Sequence, residues 1–472
     1  MRTSSHFDDA AELDHGTKQG NATSRAALPP GPPKRLFFGN VFEFLADPLT
    51  SIDQLRDKYG DTSLSRFGPI RFVFTHNPDD IHHVLVRNHR NYVKSRSYEG
   101  LRLVMGNGLV TSEGDFWRRQ RRLSQPAFHR QRLVGLGETM AECVETTMAT
   151  WLARCDGKTI DIDFHQEMMR LTLSIVGRTL FGIDLGHESN TLGPAVSVVL
   201  QHANEFAESI VRVPLWVPTP GNLRFQRAKK LLDATVHKII SARRESNRDE
   251  GDLLSMLMGI TDESGEERMT DAQLRDEVMT LFLAGHETIA TTMSWTFLLL
   301  TQHPDVLAKV RAEANEVLGD RPVTFADLPR LEYLGWVVNE SMRIYPPVWI
   351  LERQALADDM VGGYRIPKGT IVAVSPWGLH HSPKLWRNPE RFEPERFSPE
   401  RSEGRSKYAF LPFGGGPRVC IGNSFALMEA KVIVASLVRR FSVEIATDPP
   451  PTPEPRVTLR PRDGMRAKLT PL

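Results

Sequence analysis

The ten residues from Phe413 to Gly422, FGGGPRVCIG, constrain this chain more than any other stretch. They set a cysteine between glycines, two residues after Arg418. The residues that follow, IGNSFALMEAKVIVASLVRRF, have helical apolar spacing. Cys420 therefore sits at the mouth of a predicted helix, whose free N–H groups and partial positive charge favour a thiolate. A thiolate is a strong ligand for iron. Gly422 lets the backbone pass close to a flat ligand, and Gly414 and Gly416 permit the tight turn before it. Phe413 adds an apolar platform, and Arg418 is suited to a carboxylate. Together these features describe a site for heme and its propionates. A lone buried cysteine is usually inert. Here the spacing F-x-x-G-x-R-x-C-x-G arises by chance in on the order of one in ten thousand chains of this length. A phosphate loop is excluded, because Asn423 stands where that motif needs lysine.

Composition narrows the remaining choices. The cysteines are Cys143, Cys155 and Cys420, an odd, sparse set without CxxC spacing. That argues against a disulfide framework or a zinc ribbon, and for a reducing compartment. The 59 Lys and Arg nearly balance the 58 Asp and Glu. A net charge of +1 gives no electrostatic case for nucleic acid or an anionic membrane. No segment reaches the roughly 18 apolar residues of a membrane span. Residues 1–27 are polar and expected to be disordered, and LPPGPP (28–33) reads as a stiff spacer leading into the fold.

The patterning predicts a mainly α protein with a small β portion, in one domain over 28–472. A short helix is expected from about 42 to 59, then a hairpin around Gly68-Pro69 in SLSRFGPIRFVFT. Long amphipathic runs cover about 115–182, 195–211, 222–246 and 271–318. A second β patch is expected over 350–374, with GGYRIPKGT as its turn, followed by a Pro-rich stretch of little regular structure. A helix over about 423–441 and a β tail near Val457 close the chain.

FGGGPRVCIG resembles the heme-binding signature of the cytochrome P450 heme-thiolate monooxygenases, with Cys420 as the proximal iron ligand. The resemblance covers residues 28–472. It implies the family's triangular helical prism, with heme b between a long central helix and the helix after the cysteine. AGHET, Ala284 to Thr288, lies in the apolar run DEVMTLFLAGHETIATTMSWTFLLL. Ala284 and Thr288 are four apart and share one helical face. Ala284 and Gly285 leave room over a flat cofactor. The resemblance makes Glu287 and Thr288 an acid–alcohol pair that relays protons into the oxygen pocket. His286 is one position off this face and takes no role. A zinc protease helix would need His where Ala290 stands.

Four further stretches match. ESMR (Glu340–Arg343) and PERF (Pro394–Phe397) resemble the family's buried network of Glu340, Arg343 and Arg396, which supports the cysteine loop. Trp117 and Arg121 match W-x-x-x-R, whose side chains reach heme propionates, and bidentate pairing explains why arginine suits that task. Arg353, in ILERQ, stands where the family often has another propionate ligand. The other arginines of WRRQRR are either a solvated face or a docking surface for an acidic electron donor.

The implied reaction inserts one atom of O2 into a C–H or C=C bond of a hydrophobic small molecule: a fatty acid, terpenoid, steroid or other lipophile. Electrons come from NAD(P)H through a separate partner, either a ferredoxin with its reductase or a flavodoxin-type donor. No nucleic-acid or membrane partner is implied, and the expectation is a soluble, cytoplasmic, bacterial-type monomer. Position by position, Val110, Leu283, Ala284, Val348, Ile350 and Val457 fall in the substrate pocket. Arg66 and Arg71 on the early hairpin are candidates for a substrate carboxylate, or plain exposed strand residues. The rivals are a non-catalytic heme gas sensor or electron carrier, and a peroxide-driven or isomerising enzyme on the same fold. The Glu287–Thr288 pair argues against each of them.

Overall fold

The computed structural model describes residues 26–33, 38–185, 188–209, 212–246, 248–259 and 269–472. The polar extension up to residue 25 lies outside the described residues. After it, the extended Pro-rich segment lies along the sheet edge: the Leu64 N–H donates to Pro30 O at 2.8 Å and the Arg365 N–H to Ala27 O at 2.9 Å.

The helix expected over 42–59 is two helices, Val41–Ala46 and Pro48–Tyr59. Pro48 brings no N–H to continue the first, and Asp47 caps the second by accepting the Thr50 N–H. The hairpin forms as expected, from β1 (Thr62–Phe67) and β2 (Ile70–Thr75). Next come β3 (Tyr92–Lys94) and β4 (Ile160–Asp163). The second β patch holds β5 (Leu351–Ala355), β6 (Asp359–Val361), β7 (Tyr364–Ile366) and β8 (Ile371–Val374). GGYRIPKGT is thus only partly turn: Gly362 and Gly363 make the turn, and β7 follows. The tail adds β9 (Phe441–Ile445), β10 (Pro453–Pro455), β11 (Leu459–Pro461) and β12 (Arg466–Pro471). The largest sheet has the order β1-β2-β8-β5-β3, in which only β2 and β8 run parallel. A second sheet has the order β4-β12-β9.

Helices make up most of the rest, and the long predicted runs are cut where local chemistry cuts them. The run 115–182 splits into Gly114–Ser124, Arg130–Cys155 and Phe164–Phe181. Pro126 opens a tight turn after the first, and β4 separates the other two. The remaining runs form Ser189–Glu208, Pro220–Ser246, Asp271–Gln302 and Pro304–Leu318, with Pro304 ending the third.

Asp271–Gln302 is the central helix. Its 32 residues span about 48 Å at 1.5 Å per residue. A capping box between Thr270 and Gln273 fixes its start. It is buried on nearly every face because helices and sheet strands surround it. Phe164–Phe181 packs along one side, Glu332–Ile344 and the C-terminal helix Asn423–Arg440 along others. The Trp295 indole N–H donates to Leu459 O at 2.7 Å, which ties β11 to this helix.

Candidate active site

Between the central helix and the cysteine loop lies a cavity of about 720 Å³, lined mainly by apolar side chains. Its floor is the stretch Phe413–Gly422. Gly414 and Gly416 adopt φ of +69° and +68°, the left-handed region that a side chain disfavours. A Cβ on Gly416 would also lie 1.9 Å from Leu85 O, so the loop packs on bare backbone there. The turn closes where the Cys420 N–H donates to Phe413 O at 3.0 Å. Gly422 ends the loop, and the helix Asn423–Arg440 starts at the next residue.

Cys420 is exposed, but it opens onto this cavity. Burial pushes its thiol up, opposed by the Gly422 backbone N–H and the Arg121 guanidinium. The helix terminus alone therefore does not hold a free thiolate here. A thiol that coordinates a metal is deprotonated outright.

The roof is the central helix, with Leu283, Ala284, Gly285, Glu287 and Thr288 on the cavity wall. The Thr288 hydroxyl donates to Ala284 O at 2.7 Å. That bond uses the hydroxyl proton and leaves its lone pairs free to accept another. Gly285 has a packing reason as well as a lining position: a Cβ there would meet Val176 Cγ2 at 3.1 Å. The Glu287 carboxyl is buried, and burial raises its proton affinity, while the Thr458 hydroxyl and Arg460 oppose the shift. His286 turns away as expected. Its Nε2 bonds Met169 O at 2.9 Å, and it lines a second, separate cavity of about 530 Å³ with His165 and Arg460. Burial pushes the His286 imidazole down to about 4.

Val110, Val348, Ile350 and Val457 all reach the main cavity, the first from the loop before Trp117 and the last from the C-terminal tail. The hairpin tip, Phe67 to Ile70, also touches it. Arg66 and Arg71 do not: they sit opposite each other in the β1–β2 pairing and are absent from the wall. The hairpin thus contributes apolar surface, and no cation, to the pocket.

One side of the cavity is cationic. Trp117 and Arg121 come from Gly114–Ser124, Arg353 from β5 and Arg418 from the cysteine loop. The Arg418 guanidinium lies 3.8 Å from the centre of the Trp117 ring and pairs with Glu113. Its Nη1 is buried without a partner. Lys94 joins this group, a residue that sequence reasoning missed. No local motif marks it; it arrives because β3 pairs Lys94 with Arg353 of β5. Burial pushes the Lys94 amine well down, and Arg353 and Arg418 add to the shift. Arg418 is pushed down by burial to about 10, against the pull of Glu113. Glu352 shares this wall and Glu113 pairs with Arg418, but the cations outnumber these carboxylates and repel each other unless a further anion joins them. The orphaned Arg418 Nη1, the cation cluster and the open face above Cys420 fit a flat ligand with a thiolate-binding metal at its centre and carboxylates on its edge. Heme is such a ligand.

The three predicted members of the buried network also meet. Arg343 donates from Nε to Glu340 Oε2 at 2.7 Å and from Nη2 to Oε1 at 2.9 Å. Arg396 Nε donates to Glu340 Oε1 at 3.2 Å. Glu340 and Arg343 are fully buried. The remaining guanidinium N–H groups donate to His380 O, Arg391 O, Arg387 O and Asn388 O. None of the three side chains touches the cavity.

Comparison with known proteins agrees with this geometry. The family model described as Cytochrome P450 matches residues 29–468. The chain is 36% identical over 407 residues to cyclooctat-9-en-7-ol 5-monooxygenase of Streptomyces melanosporofaciens, covering 85% of this chain and 86% of that one. It is 33% identical over 435 residues to pentalenene oxygenase of Streptomyces avermitilis, covering 92% and 95%. A third relative is protein LUTEIN DEFICIENT 5, chloroplastic, of Arabidopsis thaliana, 34% identical over 437 residues, with 87% and 72% covered. Among solved structures, retinoic acid bound cyanobacterial CYP120A1 superposes with a TM-score of 0.84 at 27% identity, covering 95% of this chain and 100% of that one. Among the described residues no helix is long and apolar enough to cross a membrane. By its cysteine loop, its central helix and these matches, the chain belongs to the cytochrome P450 family of monooxygenases, whose members bind heme and use O2.

Proposed function

We propose that this chain, as one unit over 28–472, oxidises a terpenoid by hydroxylation or epoxidation. One atom of O2 enters the substrate and the other leaves as water. The two electrons come from NAD(P)H through a separate ferredoxin-type or flavodoxin-type protein. The observation that carries the proposal is the roughly 720 Å³ apolar cavity with a thiol at its floor and an alcohol–acid pair in its roof. The terpenoid class is supported by relatives named for cyclooctat-9-en-7-ol and pentalenene, and by a structural neighbour that binds retinoic acid.

Heme, when bound, would activate O2 for transfer. Cys420 would ligate its iron, and Trp117, Arg121, Arg353, Arg418 and Lys94 would hold its propionates. Phe413, Gly414 and Gly422 would lie against its lower face, and Ala284 and Gly285 would leave room above it. Val110, Leu283, Val348, Ile350 and Val457 exclude water and orient an apolar substrate by shape. Glu287, whose proton affinity is raised by burial, places its carboxyl beside the cavity. Thr288 accepts a hydrogen bond at its Oγ1 lone pairs.

The test is a screen of terpenoids against fatty acids and steroids for spin-state shifts of the Soret band, followed by product analysis. Tight binding and oxygenation of a terpenoid are expected. Turnover confined to fatty acids would overturn the substrate class, and turnover with peroxide alone would overturn the electron route.

A second expectation concerns Thr288. Thr288→Ala should bind heme and substrate normally but couple poorly, with NADPH consumed and hydrogen peroxide released in place of product. Loss of a positioned proton-transfer group costs about 10²–10⁴-fold. Product formed per NADPH, at saturating substrate, is the readout. Unchanged coupling would reduce Thr288 to a packing residue.

A further inference from the structure

A hydrogen-bonded path connects the buried ion network to the cysteine loop, and it runs through His380. The Arg343 Nη1 donates to His380 O at 2.9 Å. The His380 ring is fully buried, and its Nε2 accepts the Leu411 backbone N–H at 2.9 Å. Leu411 lies in the stretch that leads into the cysteine turn and lines the main cavity. Its carbonyl receives the Gly414 N–H at 3.4 Å, and Phe413 O receives the Cys420 N–H at 3.0 Å. Few covalent bonds separate these contacts, so a shift at Leu411 is carried into the turn that aims the sulfur.

The Leu411 contact assigns the ring's tautomer, and among the described residues the buried Nδ1 has no hydrogen-bond partner of its own. A nitrogen that accepts from a backbone N–H carries no proton, so His380 is neutral with its proton on Nδ1. Burial depresses protonation well below the usual histidine range, and Arg343 and His381 add to that. The ring is also held in place from its sides. Phe410 lies 5.2 Å away and Trp386 6.5 Å away, and Arg343 stands 5.3 Å from the Trp386 ring. No other acceptor for the Leu411 N–H is present among the described residues.

We propose that His380 is a positioning residue: by accepting the Leu411 N–H while its own carbonyl is gripped by Arg343, it fastens the cysteine loop to the Glu340–Arg343–Arg396 network and keeps Cys420 in place to ligate. The inference rests on the reading of Cys420 as the iron ligand. It assigns His380 no contact with substrate or heme, since its ring is absent from the cavity wall. It also explains how a network with no cavity contact acts on the metal site.

The experiment compares purified, heme-loaded His380→Phe and His380→Gln with the parent. Phenylalanine keeps an aromatic ring beside Phe410 and Trp386 but removes the acceptor. Glutamine restores an acceptor in its amide oxygen. The readout is the reduced carbon monoxide complex, followed as it passes from the red-shifted band of thiolate ligation to the unshifted band. His380→Phe should make that conversion about tenfold faster or more, the scale set by a buried N–H without an acceptor. His380→Gln should lie nearer the parent. Conversion of His380→Phe at the parent's rate would overturn the proposal. A second measurement needs no variant: amide hydrogen exchange of the parent. The Leu411 N–H should be among the slowest to exchange within residues 406–422, and exchange as fast as the exposed Glu403 amide would also overturn the proposal. Cys420→Ala in the same assay separates the two claims. A thiolate band that survives there refutes the ligand reading, whereas parent-like decay in His380→Phe refutes only the tether.

Discussion

Replacing Cys420 by alanine is expected to abolish the red-shifted absorption band of the reduced carbon monoxide complex, while Cys143→Ala and Cys155→Ala keep it. The argument is one of position. The chain has three cysteines, and only Cys420 lines the cavity between the central helix and the cysteine loop. Cys143 is buried among helices, and its sulfur accepts from Arg178 Nη1 at 3.6 Å. Cys155 is buried at the far end of its helix, with Leu469 O as its neighbour at 3.9 Å. Burial pushes both of those thiols up, as it does that of Cys420, so position and not proton affinity separates the three. The band reports thiolate ligation itself, so it separates loss of the ligand from general loss of activity. A Cys420→Ala protein that retained the band would overturn the reading of the whole site.

The cysteine loop was legible because its chemistry is local. A turn, a ligand and a helix start occupy consecutive residues, and each leaves a residue-type mark: glycines at positive φ, a cysteine, then helical spacing. The central helix was legible for a related reason, since its apolar run is long and its Thr288 and Ala284 fall one turn apart. Lys94 and His380 were not legible. Lys94 reaches the cations only through the pairing of β3 with β5, a contact between residues far apart in the chain. His380 sits in HHSPK, where nothing says that one ring accepts an N–H from a loop 31 residues on. Helix ends were misjudged where capping and proline chemistry outweigh periodicity. The apolar pattern over 115–182 continues through Pro126 and through β4, because the buried side of a strand and of a helix are apolar alike. For Arg66 and Arg71 the structure favours the second of the two readings, plain strand residues. Their hairpin does approach the cavity, but alternation along a strand sends neighbouring side chains to opposite faces. Phe67 and Ile70 meet the cavity and the arginines beside them do not.

Arg343→Ala is expected to give protein that is mostly heme-free or misfolded. Arg343 is fully buried and makes four hydrogen bonds: two to Glu340, one to His380 O and one to Arg391 O. Alanine removes all four and leaves Glu340, among the described residues, with Arg396 as its one remaining cation in contact. Removing one partner of a buried ion pair costs about 3–5 kcal/mol, because the other charge stays out of water with too few partners. That is a large share of the roughly 5–15 kcal/mol that holds a typical domain folded. The loss also frees His380 O, so the cysteine loop is weakened from the same substitution. Arg343→Lys should fall between alanine and the parent, since an ammonium keeps the charge but cannot reproduce the two parallel bonds to the carboxylate. Heme content per chain and the urea midpoint of unfolding are the measurements. Because Arg343 lies off the cavity wall, whatever fraction does load heme should couple normally, while its thiolate band should convert to the unshifted band faster than the parent's because His380 O has lost its partner. That combination, a depleted yield of enzyme with a loosened cysteine loop and intact coupling, distinguishes a structural network from a catalytic one. A fully loaded Arg343→Ala protein with the parent's midpoint would show that the network carries no such weight.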